Sequence, residues 1–163
     1  MKKVAIVMGS DSDLKVMEGA IDRLRAFEIP FEVRVISAHR TPAAAEELAR
    51  TAIDEGFGVI IAAAGKAAHL GGVLAAYTTL PVIGVPIKTS VMGGMDSLLS
   101  MVQMPKGIPV ACVAIDGAEN AAILAAQMLA LSDAELAKKL VAFKADMAEK
   151  VAEKDAKIRK EFA

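Results

Sequence analysis

Two short stretches of this chain gather groups able to bind an anion and to move a proton. Gly9-Ser10-Asp11-Ser12-Asp13 sets hydroxyls beside carboxylates, and Ser37-Ala38-His39-Arg40-Thr41-Pro42 sets hydroxyls beside an imidazole and a guanidinium. Ser10 and Ser37 can donate to a phosphate, and Arg40 can add a fork-shaped, charge-assisted contact. Asp13 would repel phosphate, but a carboxylate accepts from two adjacent ribose hydroxyls. The first stretch therefore suits both ends of a ribose phosphate. Ser10 or Asp11 equally suits the plainer task of capping a helix. An unperturbed imidazole titrates near about pH 6.5 and both gives and takes protons at neutral pH. His39 is accordingly the candidate general acid–base. Two more stretches, Ala64-Gly65-Lys66-Ala67-Ala68-His69 and Pro86 to Gly94, add the other histidine, two lysines and further hydroxyls. His69 fits a packing or hydrogen-bonding role as well as a chemical one.

Each stretch follows a short apolar run, and these runs alternate with helical patterns. Strands are read at residues 4–8, 31–36, 59–63, 82–85 and 110–114, and helices at 14–27, 42–55, 67–77, 95–101 and 118–131. Pro42 after Thr41 marks a helix start and Gly56 a helix end. The strands read as continuous apolar runs rather than alternating ones, the mark of parallel strands covered on both faces. Alternation of strand and helix predicts an α/β, three-layer, flavodoxin-like fold with a parallel sheet in the order 2-1-3-4-5. In such a sheet ligands bind beyond the carboxyl ends of the strands, where all four stretches fall.

The tail differs. Ser132 with Glu135 predicts a capping box. Leu136, Leu140, Phe143, Met147 and Val151 then form an apolar stripe on a long charged helix. The sheet already has its helices, so the stripe is expected to pack on a neighbouring subunit rather than on its own domain. The chain reads as one domain, residues 1–163, with a core at 1–131 and a helical extension at 132–163.

The totals exclude several classes. The net charge of -1 over 163 residues leaves no basic footprint for a nucleic-acid polymer. One cysteine, Cys112, makes no internal disulfide and fits a reduced, cytoplasmic setting. The apolar run at the start is too short for a signal peptide. Residues 67–87 carry no formal charge, but His69, Gly71-Gly72, Thr78-Thr79, Pro81 and Pro86 interrupt them, which argues against a membrane span. Mean hydropathy of +0.45 instead suggests a large subunit interface. Two histidines and one cysteine give no metal-ligand spacing, and no cofactor is expected. The ATP motif G-x-x-x-x-G-K-[ST] and the dinucleotide motif G-x-G-x-x-G are missing. A receiver domain would need an aspartate where Ala63-Ala64-Gly65 stands. A flavin carrier would need aromatics, which make up 4% of residues.

The chain resembles the PurE-type enzymes of purine biosynthesis, the N5-carboxyaminoimidazole ribonucleotide mutases. The likeness rests on MGSDSD at 8–13, SAHRTP at 37–42, AAHL at 67–70, LPVIGVPI at 80–87, GGMDSLLSMVQMPKGIPVA at 93–111 and ENAAILAAQML at 119–129. The resemblance implies a flavodoxin-like subunit in a homo-octamer. It implies transfer of a carboxylate from the exocyclic nitrogen of an aminoimidazole ribonucleotide to ring carbon C4, without metal or ATP. It also implies phosphate contacts at Ser10, Ser37 and Arg40, a ribose contact at Asp13 beside Asp11, acid–base chemistry at His39, and a loop of Gly65, Lys66, Ala67, Ala68, His69 and Leu70 near the base and carboxylate. Two positions depart from the family pattern: glycine is expected where Lys66 stands and proline where Gly71 stands. A related carboxylase branch that takes CO2 directly carries a basic residue near the former, whereas Arg40, His69 and Gln103-Met104-Pro105 side with the mutases. That carboxylase, or a non-catalytic flavodoxin-like nucleotide-binding module, is the alternative.

Overall fold

The computed structural model describes all of residues 1–163. In chain order the elements are β1 (Lys3–Met8), α1 (Leu14–Ala26), β2 (Phe31–Val35), α2 (Pro42–Thr51), β3 (Phe57–Gly65), α3 (Leu70–Tyr77), β4 (Val82–Ile87), α4 (Met95–Val102), β5 (Ala111–Cys112), α5 (Ala118–Ala130) and α6 (Ala134–Glu161). The five strands form one parallel sheet in the order β2-β1-β3-β4-β5, as the alternation predicted.

Side chains alternate across a strand, and in β1 both faces are apolar. Val4, Ile6 and Met8 enter the core under α1, α5 and the start of α6; Ala5 and Val7 enter the one under α2, α3 and α4. β3 repeats this, from Val59 to Ala64. The continuous apolar runs thus describe the central strands. They do not describe β2, an edge strand whose Glu32–Val35 segment is exposed on both faces. With β1 as its only neighbour, it has nothing to cover its outer margin.

Several local readings shift. The helix read from residue 67 begins at Leu70, because Lys66 and His69 both hold left-handed backbone, φ 56° and 57°. The helix from Pro42 ends at Thr51, not near Glu55. Thr41 precedes it without capping it; its hydroxyl bonds Ser37 instead. At the tail the cap is Asp133, not Ser132: the Asp133 carboxylate accepts from the Leu136 amide at 3.0 Å. A carboxylate at that place also favours the positive end of the helix dipole.

The apolar stripe on α6 divides. Leu136 is fully buried, and Leu140 and Phe143 pack on the same core, with Phe143 edge-on to Phe27 at 5.5 Å. Lys139 donates to Phe27 O at 3.2 Å and pairs with Glu28. From Lys144 onward every residue is exposed, Val151 and Ile158 among them. The expectation that the stripe packs away from its own domain therefore fails for its first half. Burying Leu136 and Phe143 against α5 closes a core that the sheet and α1 leave open.

Candidate active site

The carboxyl ends of β1 to β4 converge on a cavity of about 720 Å³ lined by parts of all four turns. The first turn supplies Gly9, Ser10, Ser12 and Asp13; the second supplies Ser37, His39 and Arg40. The third supplies Gly65, Lys66, Ala67 and Leu70, and the fourth Lys88, Thr89 and Ser90. A larger cavity of about 900 Å³ lies at the opposite end of the sheet, between Arg50, Tyr77, Leu80 and Ile108. It is predominantly apolar in its lining and holds neither histidine, whereas the first brings together His39, Arg40, Asp13 and several hydroxyls.

The first turn is a single turn of 3-10 helix, Asp11–Asp13, that resolves its two carboxylates into different places. Ser10 caps it, accepting from the Ser12 amide at 3.3 Å and the Ser12 hydroxyl at 2.9 Å. Asp13 is only 7% exposed, with the Ser12 hydroxyl 3.4 Å away. Burial raises its pKa above the ordinary carboxylate value; hydrogen bonds from Ser10 and Ser12 pull it down without offsetting burial, and the nearby Asp11 adds to the rise. Asp11 is exposed, accepts from the Ser10 hydroxyl at 3.3 Å and does not line the cavity. Ser12 lines it instead, because a tight three-residue turn points successive side chains in different directions.

The second turn is closed by its own hydroxyls. The Thr41 hydroxyl accepts from the Ser37 amide at 3.0 Å and donates to the Ser37 carbonyl at 3.1 Å, while the Ser37 hydroxyl accepts from the Arg40 amide at 3.1 Å. His39 is held at the exposed apex of this ring. The Arg40 guanidinium reaches across to Gly9 O at 3.2 Å, tying the second turn to the first. His69 faces His39 edge-on, ring centroids 5.8 Å apart, so the third turn delivers its imidazole to the second without lining the cavity. Sequence reasoning placed the fourth turn at this end of the sheet but singled out none of Lys88, Thr89 or Ser90. Their position beyond β4, next to β3, was the available signal.

No group of three or more His, Cys, Asp or Glu side chains is arranged to hold a metal ion. Cys112 lies in β5, half-buried, and burial pushes its thiol pKa up, away from nucleophile chemistry.

The family described as AIR carboxylase matches residues 3–150. The chain belongs to this family. It is 59% identical over 147 residues to the N5-carboxyaminoimidazole ribonucleotide mutase of Pyrococcus abyssi, covering 90% of this chain and 84% of that protein. It is 52% identical to the phosphoribosylaminoimidazole carboxylase of Candida glabrata over 95% of this chain, which corresponds to 27% of that longer protein. The crystal structure of Treponema denticola PurE superposes with a TM-score of 0.84 at 30% identity, covering 94% of this chain and 96% of that one.

The departure from the family pattern at Lys66 now has a structural meaning. Its backbone lies at φ 56°, a region that glycine enters without steric cost. A side chain there costs about 1–2 kcal/mol, and glycine's greater unfolded-state freedom returns roughly 0.5–1 kcal/mol of that. Lys66→Gly should therefore stabilise the fold by about 0.5–1 kcal/mol, read as a higher urea midpoint at unchanged slope. An unchanged or lower midpoint would show that the lysine side chain makes contacts worth more than the strain.

Proposed function

We propose that this chain is an N5-carboxyaminoimidazole ribonucleotide mutase acting in purine biosynthesis. The carrying observation is the convergence of Ser10, Asp13, Ser37, His39 and Arg40 on one cavity, in a chain whose curated relatives include mutases at 52–59% identity. Ser10, Ser37 and Arg40 take the phosphate. Asp13, desolvated at the cavity wall, accepts from the ribose hydroxyls. Gly65, Lys66, Ala67 and Leu70 close around the base and the migrating carboxylate, with His69 behind His39.

His39 serves both halves of the reaction. Its proton goes to the exocyclic nitrogen as the N–C bond to the carboxylate breaks and CO2 is released. C4 then attacks the trapped CO2, and the imidazole removes the C4 proton to restore the aromatic ring. One proton enters and one leaves, so the imidazole ends as it began. Retaining CO2 against the substrate keeps the second half effectively intramolecular, an advantage lost if CO2 escapes. The small apolar walls at Ala64, Ala67 and Ala68 suit that confinement.

A homo-octamer in the cytoplasm belongs to the same proposal. Its support is exposed apolar surface: Met95, Leu99 and Val102 form a stripe on α4, and Val151 and Ile158 one on α6. No helix of the chain is long and apolar enough to cross a membrane. Sedimentation should report eight times the subunit mass of 17.0 kDa. The decisive assay offers N5-carboxyaminoimidazole ribonucleotide without ATP, then the decarboxylated ribonucleotide with bicarbonate or with dissolved CO2. Conversion of the first to the C4-carboxylated product is expected. Efficient turnover only from the decarboxylated substrate with CO2 would make the chain a direct carboxylase instead.

A further inference from the structure

We propose that Asp116, which lies outside the cavity, is a positioning residue that fixes the wall formed by Lys88, Thr89 and Ser90. The inference rests on the function proposed above for the cavity this wall faces.

β5 is short and ends at Cys112, while β4 runs on to Ile87. The ladder between them continues past β5 through Val113 N to Gly84 O at 3.1 Å and Asp116 N to Pro86 O at 2.8 Å. The next donor along, the Lys88 amide, would need a strand carbonyl that the chain no longer provides, because it has turned at Ala114–Gly117. The Asp116 carboxylate takes that place, accepting from the Lys88 amide at 2.8 Å. Asp116 does this from a left-handed backbone, φ 58°. Aspartate and asparagine enter this region more readily than most residues other than glycine, so the turn can place an acceptor here.

The neighbouring residue grips the other end of the same turn. Gly94, at φ 99°, comes so close to Ile115 that a Cβ there would lie 2.8 Å from Ile115 Cγ2. Between these two anchors the fully buried Ser97 hydroxyl sits 2.8 Å from both Ile87 O and Gly94 O, with its one proton between them. Thr89 donates to Asp96 at 3.0 Å. The fourth turn is thus pinned at its entry by Asp116 and at its exit by Ile115 and Ser97. What remains between is the face presented to the ligand.

Three variants separate the hydrogen bond from the backbone strain. Asp116→Asn keeps an acceptor oxygen and tolerates the left-handed region; Asp116→Gly tolerates that region but offers no acceptor; Asp116→Ala loses both. A hydrogen bond to a charged acceptor corresponds to about tenfold or more in an equilibrium constant. The Gly and Ala variants should raise KM for the ribonucleotide about tenfold with kcat changed less than about threefold, and Asn should restore KM to within about twofold. Hydrogen exchange at the Lys88 amide of the free protein should quicken about tenfold in the Gly variant and not in the Asn variant. Wild-type KM in the Gly variant, even with a lowered melting temperature, overturns the proposal, as does an unchanged Lys88 exchange rate. If the wild type turns over no ribonucleotide, the proposed function fails, and the exchange rates still decide whether Asp116 holds the turn.

Discussion

Replacing His39 with asparagine is expected to lower kcat by about 10²–10⁴-fold, the range for loss of a positioned acid–base group. Binding of the product ribonucleotide should stay within a few-fold of wild type. Asparagine is smaller than histidine but can likewise donate and accept hydrogen bonds, and it cannot shuttle a proton near neutral pH. The turn carrying residue 39 is closed by Thr41 and Ser37, not by the imidazole, so its backbone should survive the exchange. Calorimetric titration reads the binding and a single-turnover assay reads the chemistry. Wild-type turnover in this variant would remove His39 from its role. Residual turnover with an altered pH profile would point to His69, whose ring stands 5.8 Å from that of His39.

Asp13→Asn should act in two opposed directions. The folded-state pKa of Asp13 is raised, chiefly by burial. A carboxyl of this kind binds its proton more tightly folded than unfolded, so its contribution to stability is complete below the ordinary value of 3.8. That contribution is lost as pH rises through the raised folded value. At neutral pH the wild type therefore bears the cost of a desolvated charge, and the neutral amide relieves it. Thermal melts should place the variant above wild type at pH 7, with the gap closing below about pH 4. Ribonucleotide affinity should meanwhile fall by about tenfold or more, since ribose hydroxyls lose a charged acceptor. A variant equal or inferior in stability at pH 7 would contradict the burial argument. Undiminished affinity would contradict the ribose contact. Together the expected outcomes describe an aspartate retained for binding at the expense of stability.

The sequence carried a good deal of this. The alternation of apolar runs with helices predicted the parallel sheet and its order, and burial of both faces left its signature in the central strands, though not in the exposed edge strand β2. The rule that ligands sit beyond strand carboxyl ends brought four distant stretches to one place. It even admitted the stretch holding Lys88, Thr89 and Ser90, whose individual part no local motif declared. The run of shared motifs pointed to the family that the chain belongs to.

Other features depended on contacts between segments remote in sequence. Asp11 and Asp13 are chemically alike and two residues apart, yet one is exposed and one buried; only the docking of a 3-10 turn against the sheet separates them. Ser132 and Asp133 are both good caps, and the direction in which the chain leaves α5 chose the second. The division of the α6 stripe after Phe143 reflects where the core of α1 and α5 ends, a length that the helix's own periodicity does not contain. Asp116 reads as an ordinary turn residue until β5 stops short and leaves the Lys88 amide in need of an acceptor. What the chain spells out by itself is the kind of chemistry and the order of the elements, since both follow from residue type and local period. Which of two like side chains lines the cavity, and which distant residue accepts from the Lys88 amide, is decided by long-range packing and hydrogen-bond satisfaction, which exist only once the segments have met.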